Sequence, residues 1–117
     1  MAYIDGVAYA VPSDRKEDFT KVAQQMCETF VRYGALHAVD AWGDDVPEGE
    51  VTSFPMAVQC KPDETVCFSW IVWPSKEAHD AAWEQIMADG QMQEPMPFDG
   101  KRMIHGTFSI VAQAQSD

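Results

Sequence analysis

The sequence predicts an α+β fold, one antiparallel sheet with two helices on one of its faces. Three observations predict it. Alternating runs of β-forming residues occupy 3–11, 35–42, 54–60, 65–73 and the stretch from Met103 to about Ala112. Two runs of helical periodicity interrupt them, each preceded by a serine where a helix would be capped. The last strand follows the second helix, so the order is β-α-β-β-α-β, the ferredoxin-like, split-βαβ pattern. A chain of 117 residues, 46% hydrophobic and 23% charged, suits a single domain over 1–117. Such a domain buries roughly two-thirds of its unfolded surface and needs no disulfide or metal staple.

Tyr3-Ile4-Asp5-Gly6-Val7-Ala8-Tyr9-Ala10-Val11 alternates as a strand, and Pro12 stops it. Ser13 is read as the N-cap of the first helix, with Asp14, Glu17 and Asp18 where the helix dipole favours acids. Phe19, Val22, Ala23, Met26, Cys27 and Phe30 recur at steps of three and four and mark its buried face, and Gly34 ends it. Residues 35–42 form the second strand and 43–49 a loop rich in Gly, Asp and Pro. Residues 54–60 are expected as a third strand, joined to the strand at 65–73 by a hairpin turn at Lys61-Pro62-Asp63-Glu64. In this count those two strands pair with each other and 35–42 is an extra edge. Ser75 caps the second helix, whose apolar face is Ala78, Ala82, Trp83 and Ile86, and Asp89-Gly90 ends it. A loop rich in Met and Pro covers 91–102, and a polar tail follows the last strand from Gln113.

The strand at 65–73 is apolar on both faces, with Val66, Phe68, Trp70 and Val72 on one and Cys67, Ile71 and Trp73 on the other. Two helices cover one face, so the second needs another cover. The simplest cover is a second copy of the sheet, giving a homodimer with the sheets face to face, a dimeric α+β barrel. The competing arrangement is a monomer with the loops 43–56 and 91–102 folded over that face.

Eight basic against 19 acidic residues give a formal net charge of −11, which excludes a nucleic-acid backbone as partner. No run approaches the roughly 20 apolar residues of a membrane span, so no membrane partner is expected. Met1-Ala2-Tyr3-Ile4-Asp5 carries no basic region leading into an apolar run, and Cys27, Cys60 and Cys67 are three without CxxC spacing. Both features read as a cytoplasmic protein with reduced thiols.

Three stretches are similar to a known family: Trp42-Gly43-Asp44-Asp45-Val46-Pro47, Phe68-Ser69-Trp70-Ile71-Val72-Trp73-Pro74-Ser75, and Met96-Pro97-Phe98-Asp99-Gly100-Lys101-Arg102-Met103-Ile104. From Tyr3 to about Val111 the chain resembles the YbaA-like family of small bacterial proteins of unknown function. The resemblance implies the dimeric α+β barrel superfamily and no particular reaction. It also implies a pocket between sheet and helices or inside the barrel, in company with cofactor-free monooxygenases, lactone isomerases, haem-degrading enzymes and ligand-sensing domains. His105 stands where the family suggests Tyr, and Thr107 where it suggests Gly.

Several residue groups are candidates for chemistry. Asp44 and Asp45 are read either as turn residues or as a base or cation site. Ser69 lacks a nucleophile elbow and reads as a buried hydroxyl, and Cys60 and Cys67 as a packed reduced pair. His37, Asp40 and His105 would make a metal site only if a bulge brought them together, with His79 on the exposed side of its helix, so no metal is expected. Trp42, Trp70, Trp73 and Trp83 suit either an aromatic ligand or a packed interior. Arg102 either holds a substrate anion or pins its loop to Asp44, Asp45 or Asp99. Taken together, these groups predict a pocket walled by Trp42, Ser69, Trp73 and Phe98 with Asp44, Asp45, Asp99 and Arg102 at its rim. The expected function is a cofactor-independent enzyme for a small aromatic or carbonyl compound. A carboxylate or His105 would remove a proton and Arg102 would stabilise the anion. The alternative is a module that binds a small ligand or a partner without chemistry.

Overall fold

The computed structural model describes residues 2–91 and 96–116. Four strands, β1 (Tyr3–Pro12), β2 (His37–Trp42), β3 (Glu64–Trp73) and β4 (Ile104–Ser109), form one antiparallel sheet in the order β2-β3-β1-β4. Helix α1 (Lys16–Arg32) joins β1 to β2, and α3 (Lys76–Ala88) follows β3. The α+β class therefore stands, with one antiparallel sheet and the two long helices, but the strands and their pairing differ from the expected ones.

The strand expected over 54–60 is a single helical turn, α2 (Phe54–Ala57). Its cause is local: the Ser53 side chain accepts from the Met56 N–H at 3.1 Å, and Pro55 occupies the first turn, where its missing N–H costs nothing. β3 therefore takes β2 as its partner, with Asp40 opposite Ser69 and Trp42 opposite Cys67, so β2 is an edge of the core sheet and not an addition to it. Ser13 begins a short 3₁₀ turn, and its hydroxyl bonds Thr65 Oγ1 at 2.8 Å instead of capping α1. The last strand stops at Ser109, short of the expected 112. Of the loop expected at 91–102, residues 92–95 lie outside the described residues.

Both helices end as the glycines dictate. Gly34 and Gly90 take φ of +117° and +71°. The amide after each reaches back five residues, Ala35 to Phe30 O at 3.0 Å and Gln91 to Ile86 O at 3.1 Å, closing the last turns. Ser75 caps α3 by accepting from the Ala78 N–H at 3.1 Å.

The two long helices share one sheet face. Phe30 from α1 and Ala82 and Ile86 from α3 pack on Ile71 and Trp73 of β3. Phe19 and Ala23 from α1 pack on Tyr9, Val11 and Cys67. The opposite face carries Ile4, Ala8, Phe68, Trp70, Ile104 and Phe108, aligned across β1, β3 and β4 by the register. Residues 46–60 cover one end of it through Val46 and Val58, which pack around Ala8, Ala10 and Val66. The remainder is bare: Phe68, Ile104 and Phe108 are 40, 46 and 57% exposed.

Candidate functional site

Between the helices and the sheet lies a cavity of about 510 Å³. Alternate strand residues reach it from below, so parity selects most of the lining, with Val39 and Trp70 the exceptions. β1 contributes Asp5, Val7 and Tyr9, β3 Ser69 and Ile71, β2 Ala38 and Asp40, and β4 His105 and Thr107. α1 supplies Met26, Cys27 and Phe30 from above, and α3 supplies His79 and Trp83. Met96, Phe98 and Met103 close one side, with Phe98 stacked on Tyr9 at 4.5 Å between ring centroids.

The walls are apolar and the polar groups fall into two clusters. The first surrounds Asp40. Its Oδ1 accepts from the Tyr9 hydroxyl at 2.7 Å and from the Ser69 hydroxyl, while Tyr9 and Ser69 touch each other at 2.7 Å. The Cys27 thiol donates to Oδ2 at 3.3 Å. Burial first, and the Asp40 charge second, push the Tyr9 phenol above its ordinary value, so Tyr9 acts as a hydrogen-bond donor and not as an anion. The same two causes push the Cys27 thiol up to about 12, which leaves it a poor nucleophile. On the far side of Asp40 and Cys27 a smaller hollow of about 330 Å³ opens between α1 and β2, with Trp42 in its wall.

The second cluster surrounds Asp5. Its Oδ2 accepts from the indole N–H groups of Trp73 at 2.9 Å and Trp83 at 3.1 Å, and its Oδ1 lies 3.1 Å from His79 Nε2. His79 Nδ1 lies 2.7 Å from Asp80 Oδ1, so both ring nitrogens face carboxylates. These partners satisfy a carboxylate that would be costly to bury alone.

The structure separates the residues that the sequence grouped. Ser69, Phe98 and His105 line the cavity. Trp73 is fully buried beneath it, with its N–H spent on Asp5. Trp42 packs against Phe19 at 5.8 Å under the Lys16 ammonium and faces the smaller hollow. Asp44 and Asp45 sit exposed on the loop after β2, outside the cavity wall. Arg102 is a pin, with partners other than most of those expected. It forks onto Glu64 with two bonds of 2.7 Å and also reaches Asp99 at 3.1 Å and the Gln59 carbonyl at 2.9 Å. Asp99 accepts from the Lys101 N–H at 3.0 Å, which, with Arg102, holds its carboxyl below the usual range. The trio His37, Asp40 and His105 does not meet, because β2 and β4 are opposite edges of the sheet and His37 has the other parity. His79 faces the cavity with its side chain 13% exposed, not the solvent side expected of it.

Sequence reading passes over Asp5, weighs Asp40 only as a metal ligand and sets His79 on the exposed side of its helix, yet each carries a signal. Asp5 has the parity of Val7, Tyr9 and Val11, an acid on the buried side of a strand. His79 is spaced three, four and seven residues from Ala82, Trp83 and Ile86, inside the helix's apolar stripe. Asp40 shares its face with Trp42.

A profile of the family described as "Protein of unknown function (DUF1428)" matches residues 2–100. The chain is 47% identical over 114 residues to the uncharacterized protein YbaA of Escherichia coli strain K12, covering 95% of this chain and 97% of that protein. It matches YbaA of Shigella flexneri with the same identity and coverage. Among solved structures, a variant of SnoaB, a cofactor-independent oxygenase from Streptomyces nogalater, aligns with a TM-score of 0.61 at 14% identity over 98% of both chains. At that identity the likeness is one of fold, and it agrees with the α+β barrel type expected from the sheet.

Proposed function

We propose that this chain, which belongs to the DUF1428 family of proteins of unknown function, binds a small aromatic or carbonyl compound in the cavity between its helices and its sheet, as one subunit of a cytoplasmic homodimer. The cavity carries the reading. At about 510 Å³ it falls in the range of small-molecule sites, roughly 300–1,000 Å³, and it combines aromatic walls with a few convergent polar groups. The bare face bearing Phe68, Ile104 and Phe108 supports the homodimer, since exposed patches of this kind mark association surfaces. Three free cysteines suit the reducing cytoplasm.

His105 favours a second reading, that of an enzyme working without a bound cofactor. Its imidazole lines the cavity and has no hydrogen-bond partner among the described residues. Histidine is the side chain most often used as a general base. His105 would take a proton from the ligand, leaving the electron pair as an enolate or phenolate whose oxygen receives the Tyr9 O–H. The SnoaB fold likeness is compatible with such chemistry and does not select it.

Native mass spectrometry and an NMR titration with 2-tetralone, a bicyclic aromatic ketone, test the first reading. A dimer is expected, with resonance shifts at Phe98 and Tyr9. A monomer overturns the assembly, and shifts confined to the bare face overturn the site. Deuterium exchange at the ketone's α-carbon tests the second: protein-dependent exchange that disappears in His105→Ala establishes it, and binding without exchange leaves a binding module.

A further inference from the structure

The cavity is acidic as well as apolar. Asp5 and Asp40 both line it, and the two imidazoles His79 and His105 are its only basic groups among the described residues. None of the eight Lys and Arg residues reaches it, and Met92-Gln93-Glu94-Pro95 contain no base that would supply one. Arg102, the guanidinium with the best sequence claim to hold an anion, is spent on Glu64, Asp99 and the Gln59 carbonyl.

The two carboxylates are not equivalent. Asp5 holds three donors, two of them rigid indoles, and acts as a strut between β1, β3 and α3. Asp40 is different. Tyr9 and Ser69 both converge on Oδ1, leaving Oδ2 with a thiol at 3.3 Å, a weak donor. An ionised carboxylate has about four acceptor positions. Asp40 Oδ2 is thus the acceptor in this cavity whose present partner a ligand hydroxyl or ammonium would improve upon.

Resting on the cavity reading above, we infer that the ligand is an uncharged or cationic aromatic molecule whose hydrogen-bond donor, a phenolic hydroxyl or an amine, docks on Asp40, and that aromatic carboxylates and phosphates are excluded. An anion entering this cavity would meet two fixed carboxylates and no guanidinium or ammonium to neutralise it; of the two imidazoles, that of His79 already faces Asp5 and Asp80, which leaves only His105. A phenol would gain a charge-assisted hydrogen bond in the same place.

Four ligands of one skeleton test this by calorimetric titration: 2-naphthol, 2-naphthylmethylamine, 2-naphthoate and naphthalene. The expected order has the naphthol and the amine binding about tenfold or more tighter than naphthalene, and the naphthoate weaker than naphthalene. In Asp40→Asn the preference for naphthol over naphthoate, read as a ratio within the variant, should shrink by about tenfold or more. The wild-type ratios decide the matter even if that variant misfolds. Naphthoate binding as tightly as naphthol, with naphthalene also bound, overturns the inference and leaves the cavity reading standing. Failure of all four, naphthalene included, overturns both.

Discussion

The two faces of one sheet differ in how they treat polar groups. Alternate residues of β3 go to each: Cys67, Ser69, Ile71 and Trp73 beneath the helices, Val66, Phe68, Trp70 and Val72 on the other side. Beneath the helices the strands carry Asp5, Tyr9, Asp40 and Ser69, each hydrogen-bonded, and His105, which has no partner among the described residues. On the other side β1 offers Ile4, Gly6, Ala8 and Ala10, and β4 offers Ile104, Gly106 and Phe108, without a charge. The covered face can hold carboxylates because the chain itself supplies indoles, hydroxyls and an imidazole at fixed distances. The bare face holds none, which suits a surface completed by another molecule that would have to desolvate any charge it met. The parity of a single strand thus separates a hydrogen-bonded polar face from a bare apolar one.

The largest effect is expected where the covered face is most tightly built. Trp73→Ala removes a fully buried indole and one of the three donors of Asp5. It should cost about 3–5 kcal/mol in urea unfolding, with Trp73→Phe losing less. A cost under about 1 kcal/mol would mean that Asp5 and the indole are not joined as described. On the bare face, Phe108→Asp should weaken dimerisation by about a hundredfold or more by light scattering. The near-ultraviolet circular dichroism of the buried tryptophans should stay unchanged. A dimer that survives this charge uses some other surface.

Much of this contrast was legible in the residues. Periodicity located α1, α3, β1, β3 and the apolar second face, because each is long and its signal repeats. The segment 54–60 misled because a few alternating apolar residues do not outweigh Ser53 and Pro55, which nucleate a turn of helix within four residues. That one change rerouted the pairing of β3. The site was harder to read for a related reason. Asp44, Asp45, Asp99 and Arg102 look functional because they are charged and close together in sequence, yet charges on loops find solvent or each other. Asp5, Asp40 and His79 are single polar residues set into apolar stripes. Only the packing of α1 and α3 onto the same face brings them to one cavity.

Within the cavity smaller effects are expected. Tyr9→Phe removes the hydroxyl shared by Asp40 and Ser69 and should cost about 1–3 kcal/mol. It should leave dimerisation untouched, since Tyr9 lies wholly on the covered side. A change in the association constant would mean that the two faces are coupled through β1.

The most local effect concerns Arg102, which ties the covers of the two faces together. Arg102 belongs to the segment that sets Phe98 over the cavity, and its guanidinium reaches Glu64 and the carbonyl of Gln59, beside the residues that cover the end of the bare face. Bonds from Arg102, foremost among the causes, hold the Glu64 carboxyl at about 2, against an ordinary 4.5. The sign follows from linkage: a depressed carboxyl contributes its stability in full above about pH 4.5 and loses it as the pH falls towards 2. Glu64→Gln should therefore lose the contribution of the pair at pH 7 and flatten the acid limb of the stability curve between those values. Naphthalene affinity measured over the same range should fall with the wild-type limb, because protonating Glu64 releases the segment that carries Phe98. An acid limb identical in wild type and Glu64→Gln would place that titration elsewhere and leave the two covers independent.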